Sequence, residues 1–425
     1  MPDLWEYLRE LKEFPEELLN LAQKVWAEIQ PVLKEIEANS SYNQLRVLDA
    51  FRAEGVAAFH FAGSTGYGYG DLGREVLESL YASVFGAEAA IVRPQLVSGT
   101  HAIAAALFGV LRPGDELVYA TGRPYDTLLK TIGVIETPGS LKEYGITYRE
   151  VQLRDDGSID LEGLLAAVNS RTKVVAFQRS RGYSWRPAYS IETLAQAIGE
   201  LKKHYPRVIA FVDNCYGEFV EIREPSEVDA DLVAGSLIKN PGGTLAPFGG
   251  YIVGRKELLD QVFSRLTAPG LGPDVGPTGE SGLRLFFQGL YLAPHFVGQS
   301  LQGAVFAAAI LSKLGVTVSP GPYEGRFDLI QGIEFAQTDS LIRFCQAIQS
   351  VSPVDSSVTP EPAPMAGYAD YIIMSAGSFV QGASSELSAD APIRTPARLY
   401  LQGGSTKEQI IYAVLKGILK TDLMN

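Results

Sequence analysis

Asp231-Leu-Val-Ala-Gly-Ser-Leu-Ile-Lys-Asn-Pro-Gly-Gly-Thr-Leu-Ala-Pro-Phe-Gly-Gly-Tyr-Ile-Val-Gly254 carries one lysine, Lys239, between two apolar runs and ahead of a glycine-rich turn. Leu232, Val233, Ala234, Leu237 and Ile238 lead into it, and Tyr251, Ile252 and Val253 follow the turn. A solvated lysine has no need of that setting. A lysine that must reach a buried aldehyde does, because partial desolvation lowers the ammonium pKa and frees an amine able to form a Schiff base. Twenty-six residues upstream, Val208-Ile-Ala-Phe-Val-Asp213 reads as a buried strand ending in a carboxylate. Asp213 and Lys239 form the pair that pyridoxal phosphate requires: the Asp keeps the pyridine nitrogen protonated and the Lys carries the aldehyde carbon. The stretch predicts an enzyme.

Outward from this segment the chain alternates. Strands are predicted over 89–92, 116–119, 147–151, 174–178, 208–213, 232–237 and 250–253. Helices are predicted over 71–85, 100–110, 126–132, 161–167, 191–204 and 256–265, from apolar residues at helical spacing. Such alternation calls for a mostly parallel sheet covered on both faces, an α/β fold. The segments around Asp213, Lys239 and Tyr251 lie too close for a helix between each, so part of the sheet must depart from βαβ winding. Ahead of this region, Leu18, Leu21, Ala22, Val25, Trp26 and Ile29 mark a helix over 4–38 that Pro31 kinks or divides, and helix resumes to Gly55. A Gly/Pro-rich loop over 267–278 precedes a long apolar helix over 286–314. Strands near 316–319, 329–335 and 371–375 and helices over 339–350 and 407–419 complete a smaller α/β unit. The expected domains are a helical arm (1–60), a large cofactor-binding domain (61–300) and a small C-terminal domain (301–425).

Composition bounds the function. With 425 residues, 46% apolar and 20% charged, the chain has ordinary globular content. A net charge of −13 disfavours nucleic acid or an anionic membrane as partner. Two cysteines, Cys215 and Cys345, offer neither a disulfide framework nor metal spacing. The acidic N-terminus lacks the basic and apolar regions of a signal peptide, and no apolar run is long enough to span a bilayer. A cytoplasmic protein is expected.

Several motifs suit an anionic cofactor. Ser98-Gly-Thr-His-Ala opens a helix, where Gly99 lets the backbone approach an anion and free N–H groups point at it. An ordinary cap by Ser98 is the plain alternative. Ser236, three residues before Lys239, can offer a hydroxyl to the same phosphate. Gly68-Tyr-Gly-Asp-Leu-Gly73 matches a dinucleotide fingerprint, but no strand precedes it, and a loop lining an active site is the better reading. Tyr125 lies just past a strand end, where it could stack on a pyridine ring, and His101 is its rival. Gln178-Arg-Ser-Arg-Gly-Tyr-Ser-Trp-Arg-Pro187 brings three arginines to another strand end. Arg398 heads a strand in the small unit, where its planar fork could take an α-carboxylate. Cys215 reads as packed, since no histidine pairs with it in sequence.

These residues resemble the fold-type I pyridoxal-phosphate enzymes, and more narrowly the methionine γ-lyase-related group often labelled aluminium-resistance proteins, relatives of the cystathionine lyases. The matching motifs run in order through residues 66–74, Ser98-Gly-Thr-His-Ala, Gly122-Arg-Pro-Tyr-Asp, Gln178-Arg-Ser-Arg-Gly-Tyr and Asp213-Asn-Cys-Tyr-Gly-Glu-Phe. They continue through Ser236-Leu-Ile-Lys-Asn-Pro-Gly-Gly and Phe287-Gln-Gly-Leu-Tyr-Leu-Ala-Pro-His to Glu386-Leu-Ser-Ala-Asp-Ala-Pro-Ile-Arg. The resemblance implies a large domain with a mixed, mostly parallel seven-stranded sheet and a smaller C-terminal α/β domain. It implies Lys239 as Schiff-base lysine, Asp213 as pyridinium partner, and Ser98, Gly99, Thr100 and Ser236 on the phosphate. Tyr125 would stack on the ring, with His101 among the cofactor-binding residues, Arg181 and Tyr216 would stand beside the cofactor, and Arg398 with Ser385 would hold the substrate. Tyr67 or Tyr69 would reach a neighbouring subunit's cofactor in a homodimer or homotetramer with shared active sites. Where the cystathionine-lyase relatives carry Tyr-x-Arg, this loop reads Tyr-Gly-Tyr-Gly, with Arg74 a helical turn later. The implied activity is a carbon–sulfur lyase on a sulfur-containing amino acid. A transferase on the same cofactor and a non-catalytic pyridoxal-phosphate-binding protein share every motif.

Overall fold

The computed structural model describes residues 3–67, 70–279, 282–365 and 368–424, with Asp422 described by its backbone alone. Two sheets organise it. The first contains β1 (Ala89–Arg93), β2 (Glu116–Tyr119), β3 (Thr147–Glu150), β4 (Thr172–Gln178), β5 (Ile209–Asp213), β6 (Leu232–Ser236) and β7 (Gly250–Gly254), in the order β1-β7-β6-β5-β4-β2-β3. Strands β3, β2, β4, β5 and β6 run parallel, whereas β7 is antiparallel to both β6 and β1. The departure expected around Lys239 is this antiparallel return. The chain turns back on itself between β6 and β7 with no α-helix, only a single 3-10 turn at Asn240–Gly242, and the lysine stands in that connection.

Helices α1 (Leu4–Glu10), α2 (Glu16–Glu28), α3 (Gln30–Ala53), α4 (Leu72–Phe85), α5 (Gly99–Val110), α6 (Asp126–Ile132), α7 (Leu161–Ala167), α8 (Ile191–His204) and α9 (Lys256–Leu266) precede the 30-residue α10 (Arg284–Lys313). Successive strand residues point to opposite faces, and each face is covered. Val175, Phe177, Ala210 and Val212 pack with α4, α8 and the first half of α10, while Val174, Ala176, Ile209 and Phe211 pack with α5, α6 and α9.

The second sheet is antiparallel throughout, in the order β10-β11-β12-β13-β9-β8. Its strands are β8 (Thr317–Ser319), β9 (Gln331–Phe335), β10 (Ala363–Pro364), β11 (Tyr371–Ala376), β12 (Ser388–Pro392) and β13 (Ala397–Gln402). One face packs on α11 (Thr338–Ser350), α12 (Lys407–Lys420), the second half of α10 and helices α1 and α2. Helix α10 therefore serves both cores, with Phe286 and Leu290 in the first and Phe306 and Ile310 in the second. Among the described residues no helix is long and apolar enough to cross a membrane.

Two expectations change. The helix read over 4–38 is interrupted at residues 11–15, where Pro15 stands at the start of α2, while Pro31 divides it as one of the two expected alternatives, by opening α3. Strand β12 is absent from the sequence reading because its Ser-Ala-Asp-Ala-Pro composition has low strand propensity. Ladders to β11 and β13 on both sides hold it in place. Phe306 is fully buried and meets Trp5 and Trp26 edge-on or tilted, with ring centroids 6.5 and 6.1 Å away. Phe306→Ala should therefore cost about 3–5 kcal/mol of stability. Denaturant titration checks this, and a cost below about 1 kcal/mol would mean the N-terminal helices gain little from this contact.

Candidate active site

Strands β2, β4, β5 and β6 are parallel, and β1 points the same way because it pairs with β7, which runs against β6. Their carboxyl ends therefore share one edge, where open α/β sheets gather ligand contacts. The residues that follow these ends (Ser98, Tyr125, Gln178, Asp213, Ser236 and Lys239) line one cavity of about 820 Å³. The second sheet forms its opposite wall.

Local sequence fixes the lysine. Its turn closes with Asn240, whose side chain donates to the Glu218 carbonyl at 2.9 Å. A Cβ at Gly242 would lie 1.5 Å from the Leu237 carbonyl oxygen, so only glycine lets the backbone return this tightly. Lys239 Nζ lies 4.1 Å from the centre of the Tyr216 ring and keeps part of its surface open to the cavity. Burial acts to lower its pKa, as the sequence suggests, but Cys215, Tyr216, Asp213 and Tyr125 around it outweigh burial and hold it well above the ordinary lysine value. The expected lowering is corrected on this point: without a cofactor the lysine is an ammonium. Asp213, 3% exposed, ends β5 and accepts the Cys215 N–H at 3.1 Å. Burial raises its pKa and the Lys239 charge opposes that rise.

The phosphate cradle is equally specific. Ser98 caps α5 by accepting the His101 N–H at 3.1 Å, which leaves the N–H groups of Gly99 and Thr100 at the open first turn. A Cβ on Gly99 would stand 2.6 Å from the Ser236 Cβ, so the helix start and the end of β6 meet only because residue 99 has no side chain. Backbone donors, a hydroxyl, a carboxylate and an amine thus converge in the proportions pyridoxal phosphate needs, and the residues present fit that group.

The remaining predicted residues divide. Tyr125 lines the cavity, shares a 3.2 Å hydrogen bond with Thr100 and donates its backbone N–H to Gln178 at 3.1 Å. Burial holds its hydroxyl well above its usual range, Asp213 adding to the effect. Tyr216 also lines it, and burial pushes its pKa up to about 12. His101 is not brought to the cavity: its ring Nδ1 accepts the Val97 N–H at 3.2 Å. Arg181 lines the cavity, but Nη1 is spent on Ser319, at 2.7 Å to the carbonyl and 3.0 Å to the hydroxyl, which ties β4 to the second sheet. Ser385 points its hydroxyl at the Ile238 carbonyl, 3.3 Å away, and its neighbour Ser384 lines the cavity instead. Arg398 lines it with its guanidinium 4.4 Å above Trp185 and Nε donating to Glu334 at 2.8 Å. Tyr67 is 76% exposed and outside this cavity, and Tyr69 lies outside the described residues. Cys215 faces the cavity, and burial raises its thiol pKa far too high for a ready nucleophile. Arg186, one of the three arginines expected at this strand end, also lines the cavity, whereas sequence reasoning missed Tyr183, Ser388, Asp390 and Gln402 on its wall. Alternation of polar and alanine residues over 388–391 is the trace they leave.

A mixed seven-stranded sheet with this lysine and aspartate at its strand ends, beside a smaller antiparallel sheet, is the fold of the fold-type I pyridoxal-phosphate enzymes. Residues 18–422 match the sequence model of the methionine gamma-lyase family, and the chain belongs to that family, whose cofactor is pyridoxal phosphate. It is 52% identical over 403 residues to the uncharacterized protein YnbB of Bacillus subtilis (strain 168), covering 94% of this chain and 96% of that one. The crystal structure of a carbon-sulfur lyase involved in aluminum resistance from Clostridium novyi NT superposes with a TM-score of 0.93 at 44% identity, covering 98% and 99% of the two chains. L-methionine gamma-lyase of Pseudomonas putida is 30% identical over 190 residues, 44% of this chain and 42% of that enzyme.

Gly99→Ala tests the cradle. The added methyl must push α5 from β6, so the variant should lose most of its pyridoxal phosphate on dialysis, and its melting temperature without cofactor should also fall, by the equivalent of about 1–3 kcal/mol. Full retention of cofactor would show that the contact yields without disturbing the phosphate.

Proposed function

We propose that this chain is a pyridoxal-phosphate-dependent carbon–sulfur lyase that eliminates a thiol from a sulfur-containing amino acid. The observation that carries this reading is the convergence of Lys239, Asp213, Ser236 and the open first turn of α5 on one cavity. The family and the naming of the Clostridium novyi relative support the same chemistry. When bound, the cofactor supplies an electron sink that stabilises loss of a proton from the amino acid's Cα. Lys239 is placed to hold the aldehyde carbon and, once displaced by substrate, to move that proton as the nearest base. Asp213 holds a proton at the ring nitrogen. Its low exposure suits that role, because a countercharge shielded from water acts at full strength. Thr100 orients the Tyr125 hydroxyl over the site.

Arg398 is assigned the α-carboxylate. Glu334 and Trp185 fix the plane of its guanidinium, and among the described residues its two Nη nitrogens have no hydrogen-bond partner. Exposed Tyr67 fits a role at a neighbouring copy's site, the arrangement expected of a homodimer or homotetramer with shared sites.

Incubation of the purified holoenzyme with sulfur amino acids should release a keto acid and a thiol together. Release of neither from any of them would remove the lyase reading. Borohydride treatment followed by peptide mapping should leave the cofactor on Lys239, and a label on another lysine would displace the assignment. Asp213→Asn should keep the fold and lose most activity, and near-normal rates would mean another group serves the ring nitrogen. Arg398→Lys keeps the charge but loses the planar fork, for a loss of about 1.5–3 kcal/mol, roughly ten- to a hundred-fold in kcat/KM. Unchanged kinetics with a lowered melting temperature would confine Arg398 to its pair with Glu334.

A further inference from the structure

One wall of the cavity is left unexplained by the lysine and aspartate chemistry. On the second sheet, side chains at alternate positions face the cavity: Ser388 and Asp390 on β12, Tyr400 and Gln402 on β13. Their neighbours Ala389, Ala391, Leu399 and Leu401 pack into the core behind. Ser388, Asp390 and Gln402 are each 3% exposed. Asp390 Oδ2 accepts two hydrogen bonds, from the Tyr183 hydroxyl at 2.9 Å and from Gln402 Nε2 at 2.6 Å. Both local donors are thereby spent on one oxygen. Asp390 Oδ1, Gln402 Oε1 and Ser388 Oγ remain buried without a partner. Bulk water does not reach these three oxygens, while their side chains form the cavity wall, so a ligand group or an ordered water entering from the cavity side can supply the partner they lack.

The chemistry of that partner is constrained. Gln402 Oε1 can only accept, since an amide oxygen has no donor, and Asp390 Oδ1 can only accept once a neighbouring cation keeps the carboxyl ionised. The Tyr183 ring stacks on Tyr400, with centroids 5.3 Å apart, and lies 5.7 Å from Tyr368, so aromatic faces stand beside the carboxylate. No lysine or arginine donates to Asp390 among the described residues. An ammonium group has three donors, no acceptor and a positive charge suited to both carboxylate and ring faces. A plain alkyl group would leave all three oxygens unpartnered, and a carboxylate would be repelled by them.

We propose that Asp390, Gln402 and Ser388 form a subsite for an amino group on the departing side of the substrate, so that the enzyme prefers sulfur substituents ending in an ammonium to those ending in an alkyl group. The inference rests on the carbon–sulfur lyase reading and specifies its substrate class. Burial raises the Asp390 pKa to about 7 in the empty site, and a cation seated there would restore the carboxylate.

The test uses holoenzyme and two amino acids of equal length, S-(2-aminoethyl)-L-cysteine and S-propyl-L-cysteine, which differ in an ammonium against a methyl. Affinity is read from the change in cofactor absorbance on titration, so both compounds give a value even if neither is cleaved. The aminoethyl compound should bind at least about ten-fold tighter, the scale of one charged hydrogen bond. Asp390→Asn should bring the ratio to within about three-fold of one, and Ser388→Ala should lower it part-way. A wild-type ratio near one, or one favouring the propyl compound, overturns the proposal, as does an Asp390→Asn enzyme that keeps the wild-type ratio. The wild-type ratio decides the matter even if the Asp390 variant does not fold. Tight, selective binding without release of thiol and keto acid would count against the lyase reading alone.

Discussion

An ammonium held deep in a fold has to be compensated, and the architecture here can be read as the means of doing so. Lys239 cannot be neutralised by retreat into apolar packing without a large desolvation penalty. Its charge is met instead by the Asp213 carboxylate, with the polar side chains of Cys215, Tyr216 and Tyr125 packed around it. Those groups come from β5, from the segment after it and from the start of α6, and they meet because the parallel strands end at one edge. The same edge receives the open turn of α5, whose N–H groups are complementary to an anion. Lysine, carboxylate and helix start are thus one electrostatic arrangement, poised for a ligand that carries an aldehyde, a basic ring nitrogen and a phosphate.

Much of this was legible in the sequence. The strand ends at Asp213 and Ser236 were visible because buried strands are nearly continuous apolar runs, and the polar residue closing each run stands out. The turn after Lys239 was visible because its glycines answer a steric demand within a few residues of chain. What could not be read depends on contacts distant in sequence. The direction of the Lys239 pKa depends on side chains supplied by two segments distant in sequence, 213–216 and Tyr125, so local apolarity alone pointed the wrong way. His101 and Ser385 sit one residue from cavity-lining neighbours, and only the helical and strand registers decide which of two adjacent side chains faces the ligand. Arg181 illustrates a third kind of failure. Its charge looked suited to an anion, yet its Nη1 is committed to Ser319.

Strand β12 shows why the second sheet was the least legible part. Its alanines satisfy a tight core on one side, and its Ser388 and Asp390 satisfy a polar wall on the other. Neither requirement favours the β-branched residues by which strands are recognised. The strand exists because β11 and β13 supply its hydrogen bonds, a constraint carried by the partners.

The cavity also sorts charge along its length. At the large-sheet end stand the ammonium of Lys239 and the donors of α5, which select anionic groups. Arg398 on β13 continues that character, with its fork held flat by Trp185 and turned by Glu334. Two and four residues further along the same strand face, Tyr400 and Gln402 meet Asp390, and the wall changes from donors to acceptors. A ligand bearing anionic groups at one end and a cation at the other can lie along this gradient in one direction only. Orientation is then set by the strand register of β12 against β13, so a one-residue slip would exchange the polar wall for alanine and leucine. The second sheet, which contributes neither the lysine nor the aspartate, in this way governs which molecules reach them.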